Sequence, residues 1–179
     1  LEVCEGQALD KEFENDLSIT EDQYLEMIEK KTGSLLGACA ALSATLVGAE
    51  QEVINYFDQF GRALGNGFQI HDDLLEIYGN PNEMGKSLGS DIAEGKQTMM
   101  VIKARNLFGK EWGEIIGDLD RIDFMDKIRS FFTENGIENE TKDLAQTYFN
   151  LARNSLEKID GINCSELFDF VNLVETRSY

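Results

Sequence analysis

Residues 51–78 read QEVINYFDQFGRALGNGFQIHDDLLEIY, and this stretch decides the fold class. Its apolar residues Ile54, Phe57, Phe60, Leu64, Phe68 and Leu75 recur three, four or seven positions apart. That is the spacing of one face of an α-helix, and no strand alternates in this way. The reading is a single long helix from about Gln51 to Tyr78. Gly79 follows it, where a helix can end.

Outward from this helix the pattern stays helical. A loop, 79–91, holds the only proline, Pro81, and three glycines, Gly79, Gly85 and Gly89. A helix is predicted from Asp91 or Ile92 to Leu107, and others over Trp112–Leu119, Arg121–Asn135, Glu140–Ile159 and Ser165–Glu175. Upstream, a first helix runs from Leu1 to about Glu14. Thr20 is an N-cap with Gln23 as its capping-box partner, opening a helix that reaches Lys31, breaks at Gly33 and resumes to about Val47. No segment alternates as a strand would, so the class is all-α, one helical domain over residues 1–179.

From Thr32 to Ala49 no residue is charged. The segment is built of small residues (Gly33, Gly37, Ala38, Ala40, Ala41, Ala44, Gly48) with polar Ser34, Ser43 and Thr45. Its hydrophobicity is too low for a transmembrane helix, so a buried central helix in close contact with neighbours is expected. Leu1, Cys4 and Ala8 already run at helical spacing, and the expectation is a chain that begins inside an element, its upstream part missing.

The formal net charge is −18 with a pI near 4.3. Such a surface repels nucleic acid and anionic lipid. Any phosphate site must then be a local basic cluster or contain metal. The three cysteines, Cys4, Cys39 and Cys164, fit no zinc or disulfide pattern and read as reduced core thiols of a cytoplasmic protein. His71 is the one histidine, so a multi-histidine metal site is excluded.

The chemistry concentrates between Phe68 and Lys96. At about 100° per residue, Asp72 and Glu76 share one helix face, with Gln69 a turn earlier and Asp73 flanking. Like charges at this spacing repel, and apolar Phe68, Ile70, Leu74 and Leu75 surround them, so the acids call for a compensating cation. Oxygen donors without a nitrogen cluster suit Mg²⁺, which keeps positions for water or phosphate oxygens. The next loop offers Lys86 and Lys96 as cations, and Gly85 and Gly89 for close backbone approach. Each feature alone has an ordinary reading: a solvated acidic face, a plain Gly-rich loop, a satisfied polar His71.

Taken together they resemble the trans-isoprenyl diphosphate synthase (polyprenyl synthetase) family. Its second aspartate-rich motif, aromatic-Gln-Ile-x-Asp-Asp-x-x-Asp, is followed by Gly-Lys-x-x-Gly-x-Asp and Gly-Lys-x-Thr, and this chain matches in order from Phe68 to Thr98. Gly6-Gln7 with Asp10 resembles the family's Gly-Gln-x-x-Asp, and Lys31-Thr32-Gly33 its Lys-Thr-Gly. The resemblance implies the C-terminal portion of an isoprenoid-synthase-type helical bundle, of the short-chain (farnesyl or geranylgeranyl) kind. It implies Mg²⁺-assisted condensation of an allylic diphosphate with isopentenyl diphosphate, and a homodimer or a pairing with the absent N-terminal half. Carried over by position, Asp72, Asp73 and Glu76 would hold metal. Lys31, Lys86 and Lys96 would bind diphosphate, and Thr32 and Gln69 would contact the reacting end of the substrate. Asp91 would order the loop, Gln7 and Asp10 would brace the site, and Arg177 would approach an isopentenyl phosphate.

Three departures stand out. Glu76 replaces the motif's last Asp, and Met99-Met100 replace a common Leu-Pro. The family's first aspartate-rich motif has no counterpart here, since no Asp-Asp pair precedes Asp72. A non-catalytic subunit of a heteromeric synthase and a terpene cyclase are the competing readings.

Overall fold

The computed structural model describes residues 1–79, 89–117 and 123–177. The first helix, α1, spans Glu2–Glu12. Helix α2 (Glu21–Ile28) is opened by Thr20, whose Oγ1 accepts from the Gln23 amide while Gln23 Oε1 accepts from the Thr20 amide, the expected reciprocal cap. A π-helical turn, Glu29–Gly33, leads without interruption into α3 (Ser34–Leu46). Then come α4 (Gln51–Tyr78), the short α5 (Ser90–Ala93), α6 (Met99–Ile116), α7 (Phe124–Glu134), α8 (Ile137–Glu157) and α9 (Ser165–Thr176). The described residues contain no strand.

Helix α4 is the axis, with α3 packed on one side and α8 on the other. Two apolar cores flank it. One joins Phe60, Leu64 and Ile70 of α4 to Tyr24, Ile28, Phe149, Leu156 and Val171. The other joins Leu74 and Ile77 to Trp112, Ile128, Phe132 and Ile137. Helix α6 bridges them, with Met99 and Ile102 in the first core and Met100, Val101 and Ala104 in the second. Met99 and Met100 are therefore both core residues, on two different faces of one helix start.

Four expectations are corrected. Gly33 does not break the helix: the Ser34 amide donates to the Glu29 carbonyl five residues back, so the turn is widened by one residue and the helix goes on. Helix α3 is not buried all round. Only Ser34, Gly37 and Ala44 are buried along it, while Leu35, Leu42 and Leu46 are exposed. The two helices predicted over 92–107 and from Trp112 on are one helix, α6, to Ile116 (118 and 119 lie outside the described residues), kinked where Phe108 leaves helical geometry (φ −134°, ψ 32°) to pack edge-on against Phe131. It starts only at Met99, because Gly95 in the left-handed region (φ 80°) ends α5 and Thr98 caps the new helix. The cysteines are not all core residues: Cys164 is buried, Cys4 and Cys39 are exposed, and all three are free.

Close helix approach substitutes for bulk around α4. A Cβ at Gly61 would lie 2.4 Å from the Leu36 carbonyl oxygen, and one at Gly6 would lie 2.2 Å from the Lys31 amide nitrogen. Only hydrogen fits at either place, so α1 and α4 press directly on the helix that carries Lys31 and Thr32. Among the described residues, no helix is long and apolar enough to cross a membrane.

Candidate active site

A polar cavity of about 40 Å³ opens where α1, α2, the π turn, α4 and the 91–98 segment meet. Asp10, Lys31, Gln69, Asp73, Asp91 and Lys96 line it, above apolar Phe13, Met27 and Ile28. The π turn, whose backbone Gly6 abuts, supplies Lys31 and Thr32.

A hydrogen-bonded series crosses the site. Thr32 Oγ1 donates to Gln69 Oε1 (3.3 Å), Gln69 Nε2 donates to Asp73 Oδ1 (3.3 Å), and Tyr24 Oη donates to Asp73 Oδ2 (2.6 Å). Gln69 thus has its amide orientation fixed by a donor on one end and an acceptor on the other. Asp73 is only 6% exposed. Burial, with the charges of Asp91 and Asp72 adding to it, raises its carboxyl to about 7 against the hydrogen bonds from Tyr24 and Gln69. Burial likewise pushes the Tyr24 hydroxyl well above its ordinary range, so it stays a donor.

Both lysines are paired with acids across the cavity. Lys31 Nζ lies 2.9 Å from Asp10 Oδ2, and Lys96 Nζ lies 2.5 Å from Asp91 Oδ1. Two ammonium groups thus face one small space, each steadied by a carboxylate. Three carboxylates, Asp10, Asp73 and Asp91, line the same cavity, so it carries no excess of positive charge, and an anion would enter only by displacing those partners or together with a cation.

The three acids of the aspartate-rich motif diverge. Asp73 faces the cavity. Asp72 is half exposed and accepts from Arg177 Nη2 at 2.6 Å, while the Arg177 guanidinium lies 4.2 Å above the Phe68 ring. Glu76 is buried and accepts from Ser90 Oγ (2.8 Å) and the Asp91 amide (3.3 Å), which anchors α5 to α4. Among the described residues, no three His, Cys, Asp or Glu side chains gather as a ready metal site. Lys86 and Gly85 lie outside the described residues. Gln7 is exposed on α1. His71 lies edge-on to Phe149, its pKa held below the ordinary value by burial and by Arg177.

Sequence reasoning missed Tyr24, which sits with Met27 and Ile28 on the buried stripe of α2 and reads there as plain core. It also missed Gln97 and Arg105, discussed below.

The fold is an all-helical bundle in which two lysines and a buried aspartate line one polar cavity, and the comparisons give its family. The family model for polyprenyl synthetase matches residues 1–129, and the chain belongs to that family. It is 40% identical over 166 residues to a geranylgeranyl pyrophosphate synthase of Geoglobus acetivorans, covering 89% of this chain and 50% of that one. It is 38% identical over 188 residues to a geranylgeranyl diphosphate synthase of Methanosarcina mazei, covering 99% and 55%. Among solved structures it superposes on a decaprenyl diphosphate synthase from Rhodobacter capsulatus with a TM-score of 0.86 at 32% identity, covering 99% and 57%. The chain thus spans about half the length of these relatives.

Proposed function

We propose that this chain is the pyrophosphate-handling part of a trans-prenyl diphosphate synthase that condenses an allylic diphosphate with isopentenyl diphosphate. One observation carries the reading: Lys31, Lys96, Gln69 and Asp73, drawn from three separate segments, line a single cavity. The names of the relatives, which are prenyl diphosphate synthases, support it. They favour a short-chain product.

The donors are all carboxylate oxygen, the chemistry a hard divalent cation takes, and the buried Asp73 faces the cavity with Asp91, its carboxyl raised by burial and by the charges of Asp91 and Asp72, a burden a cation would relieve once Asp72 leaves Arg177. Asp72 and Asp73 would hold Mg²⁺, with Glu76 contributing directly or through water. The ion would supply charge stabilisation for a departing pyrophosphate. Lys31 and Lys96 exchange their carboxylate partners for diphosphate oxygens, and Lys86 adds a third cation. Their charges, brought to one cavity, stabilise the leaving group as the allylic C–O bond breaks. Thr32 and Gln69, joined by a 3.3 Å hydrogen bond, would hold the reacting end of the substrate, with the Gln69 oxygen toward the developing positive charge. The double bond of isopentenyl diphosphate then attacks the allylic carbon, and a proton leaves to the released pyrophosphate. No step calls for a side-chain nucleophile.

The exposed Leu35, Leu42 and Leu46 on α3 support a homodimer or a covering half-molecule in the assembled enzyme. The three free cysteines fit a reducing cytoplasm.

The test is prenyl transfer by the purified chain with Mg²⁺, isopentenyl diphosphate and geranyl or farnesyl diphosphate, beside an Asp72→Ala variant. Transfer that falls by about a hundredfold or more in the variant is the expected result for a chain whose assembly is complete. Transfer found only after the N-terminal half of a relative is added supports the same chemistry in a divided site. A cyclic hydrocarbon formed without isopentenyl diphosphate sinks the reading in favour of a cyclase. Unchanged partner activity after removal of Asp72 and Asp73 sinks it in favour of a non-catalytic subunit.

A further inference from the structure

Two connections wall the cavity: 13–19, between α1 and α2, and 94–98, between α5 and α6. They touch directly. The Asn15 amide donates to the Gly95 carbonyl (2.9 Å), and both residues are in the left-handed region, with φ 62° and 80°. The Asn15 side-chain oxygen lies 2.1 Å from where a Cβ on Gly95 would be.

Arg105, one and a half turns into α6, reaches both connections. Its Nη1 donates to Gln97 Oε1 (2.6 Å), and its Nη2 donates to the Ile19 carbonyl, 86 residues away in sequence. Gln97 turns its other end back, Nε2 donating to the Gly95 carbonyl (2.9 Å). That carbonyl therefore accepts from both walls. Lys96 lies between the two residues so fastened, its amide bonded to the Asp91 carbonyl (2.9 Å) and its ammonium to the Asp91 side chain.

The acceptors of these Arg105 bonds are an amide and a carbonyl, both neutral. Burial lowers its pKa from the ordinary value, opposed by the more remote charge of Asp16. A guanidinium drawn partly out of water onto neutral acceptors is not explained by charge pairing. Its rigid fork explains it, since two donors with fixed divergence hold two chain segments at once, which a lysine ammonium on a flexible stem does poorly.

We propose that Arg105 is a positioning residue for the diphosphate site, fastening the 95–97 turn to the 13–19 connection so that Lys96 is held at the cavity. This rests on the reading of Lys96 as a diphosphate ligand.

The experiment is calorimetric titration of the 179-residue chain with pyrophosphate in excess Mg²⁺. The proteins compared are the unaltered chain, Arg105→Ala, Arg105→Lys, Lys96→Ala, and Arg105→Ala with Lys96→Ala. Arg105→Ala is expected to weaken binding about tenfold, and Arg105→Lys by about threefold. In the Lys96→Ala background, Arg105→Ala is expected to change affinity by less than about twofold, because the group it positions is gone. An equal loss in both backgrounds overturns the proposal, since it means a general structural role. So does an Arg105→Ala affinity equal to that of the unaltered chain while Lys96→Ala binds weakly, which leaves the diphosphate reading standing. If Lys96→Ala binds as the unaltered chain does, or the unaltered chain does not bind, the diphosphate reading fails and takes the proposal with it. Should Arg105→Ala not fold, Arg105→Lys carries the test, and unaltered affinity there overturns the proposal.

Discussion

Asp73→Asn is expected to weaken magnesium-dependent pyrophosphate binding by about a hundredfold or more, and to lower prenyl transfer in the assembled enzyme by about 10²–10³-fold. The change removes one charge and one acceptor at nearly the same volume: Asn retains an oxygen for Tyr24 Oη, while its amide nitrogen cannot accept from Gln69 Nε2 as Asp73 Oδ1 does. It should also separate two contributions of this carboxyl. In the metal-free chain Asp73 titrates near 7 instead of its ordinary 3.8, so the folded state binds more protons than the unfolded state between those values. Stability from this group is therefore fully present below about pH 4 and is lost as pH rises through 7. From pH 5.5 to 8 the loss is about 2 kcal/mol. Denaturant melts at those two pH values should show that difference in the unaltered chain and a smaller one in Asp73→Asn. Equal differences in both proteins would mean that the carboxyl is not held protonated by the fold. Unchanged pyrophosphate affinity would remove Asp73 from the site.

Gly61→Ala is expected to cost about 3 kcal/mol or more, a fall of roughly 10 °C in melting temperature. On helix propensity alone the sign is opposite, since Ala stabilises a helix interior by about 1 kcal/mol over Gly. Packing decides it. The new methyl would lie 2.4 Å from the Leu36 carbonyl oxygen and 2.6 Å from the Gly37 amide nitrogen, and both belong to backbone that no rotamer change can move. Helices α3 and α4 would have to separate, exposing part of the first core. Gly113→Ala on α6 is the control, because nothing lies within 4 Å of its Cβ position, and it should be stabilising. Thermal melts of the three proteins decide the matter, and a Gly61→Ala midpoint at or above that of the unaltered chain would show that the approach is looser than these distances imply.

Helix existence was legible in the sequence because periodicity is a local signal. Residues 51–78 form one helix as read, and the Thr20 cap has both of its bonds. What the sequence hid was packing. The uncharged 32–49 segment reads as buried, but its small residues mark only the strip that meets α4, and Leu35, Leu42 and Leu46 look outward. Gly33 reads as a break because glycine disfavours helices, yet the turn around it widens and continues. At the site, the motif residues were legible as a set because they lie close together in the chain. Their supports were not, because Tyr24 meets Asp73 across 49 residues and Arg105 meets Ile19 across 86, and no local pattern records such a pairing. Nor does spacing reveal that Asp72, Asp73 and Glu76 turn to three different partners.

The π turn at Glu29–Gly33 has an evolutionary reading as well. Five residues close a loop that four would close in an α-helix, so the segment carries a surplus residue inside an otherwise regular rod. Removing one residue there would restore an ordinary helix at almost no cost in composition. It would also rotate everything on one side of the deletion by about 100° relative to the other. Helix α2 would turn Tyr24 away from Asp73, and Lys31 would swing off the cavity. Insertions and deletions within these five positions should therefore be purged in functional descendants, even though conservative substitutions on the exposed side of the same turn are tolerated.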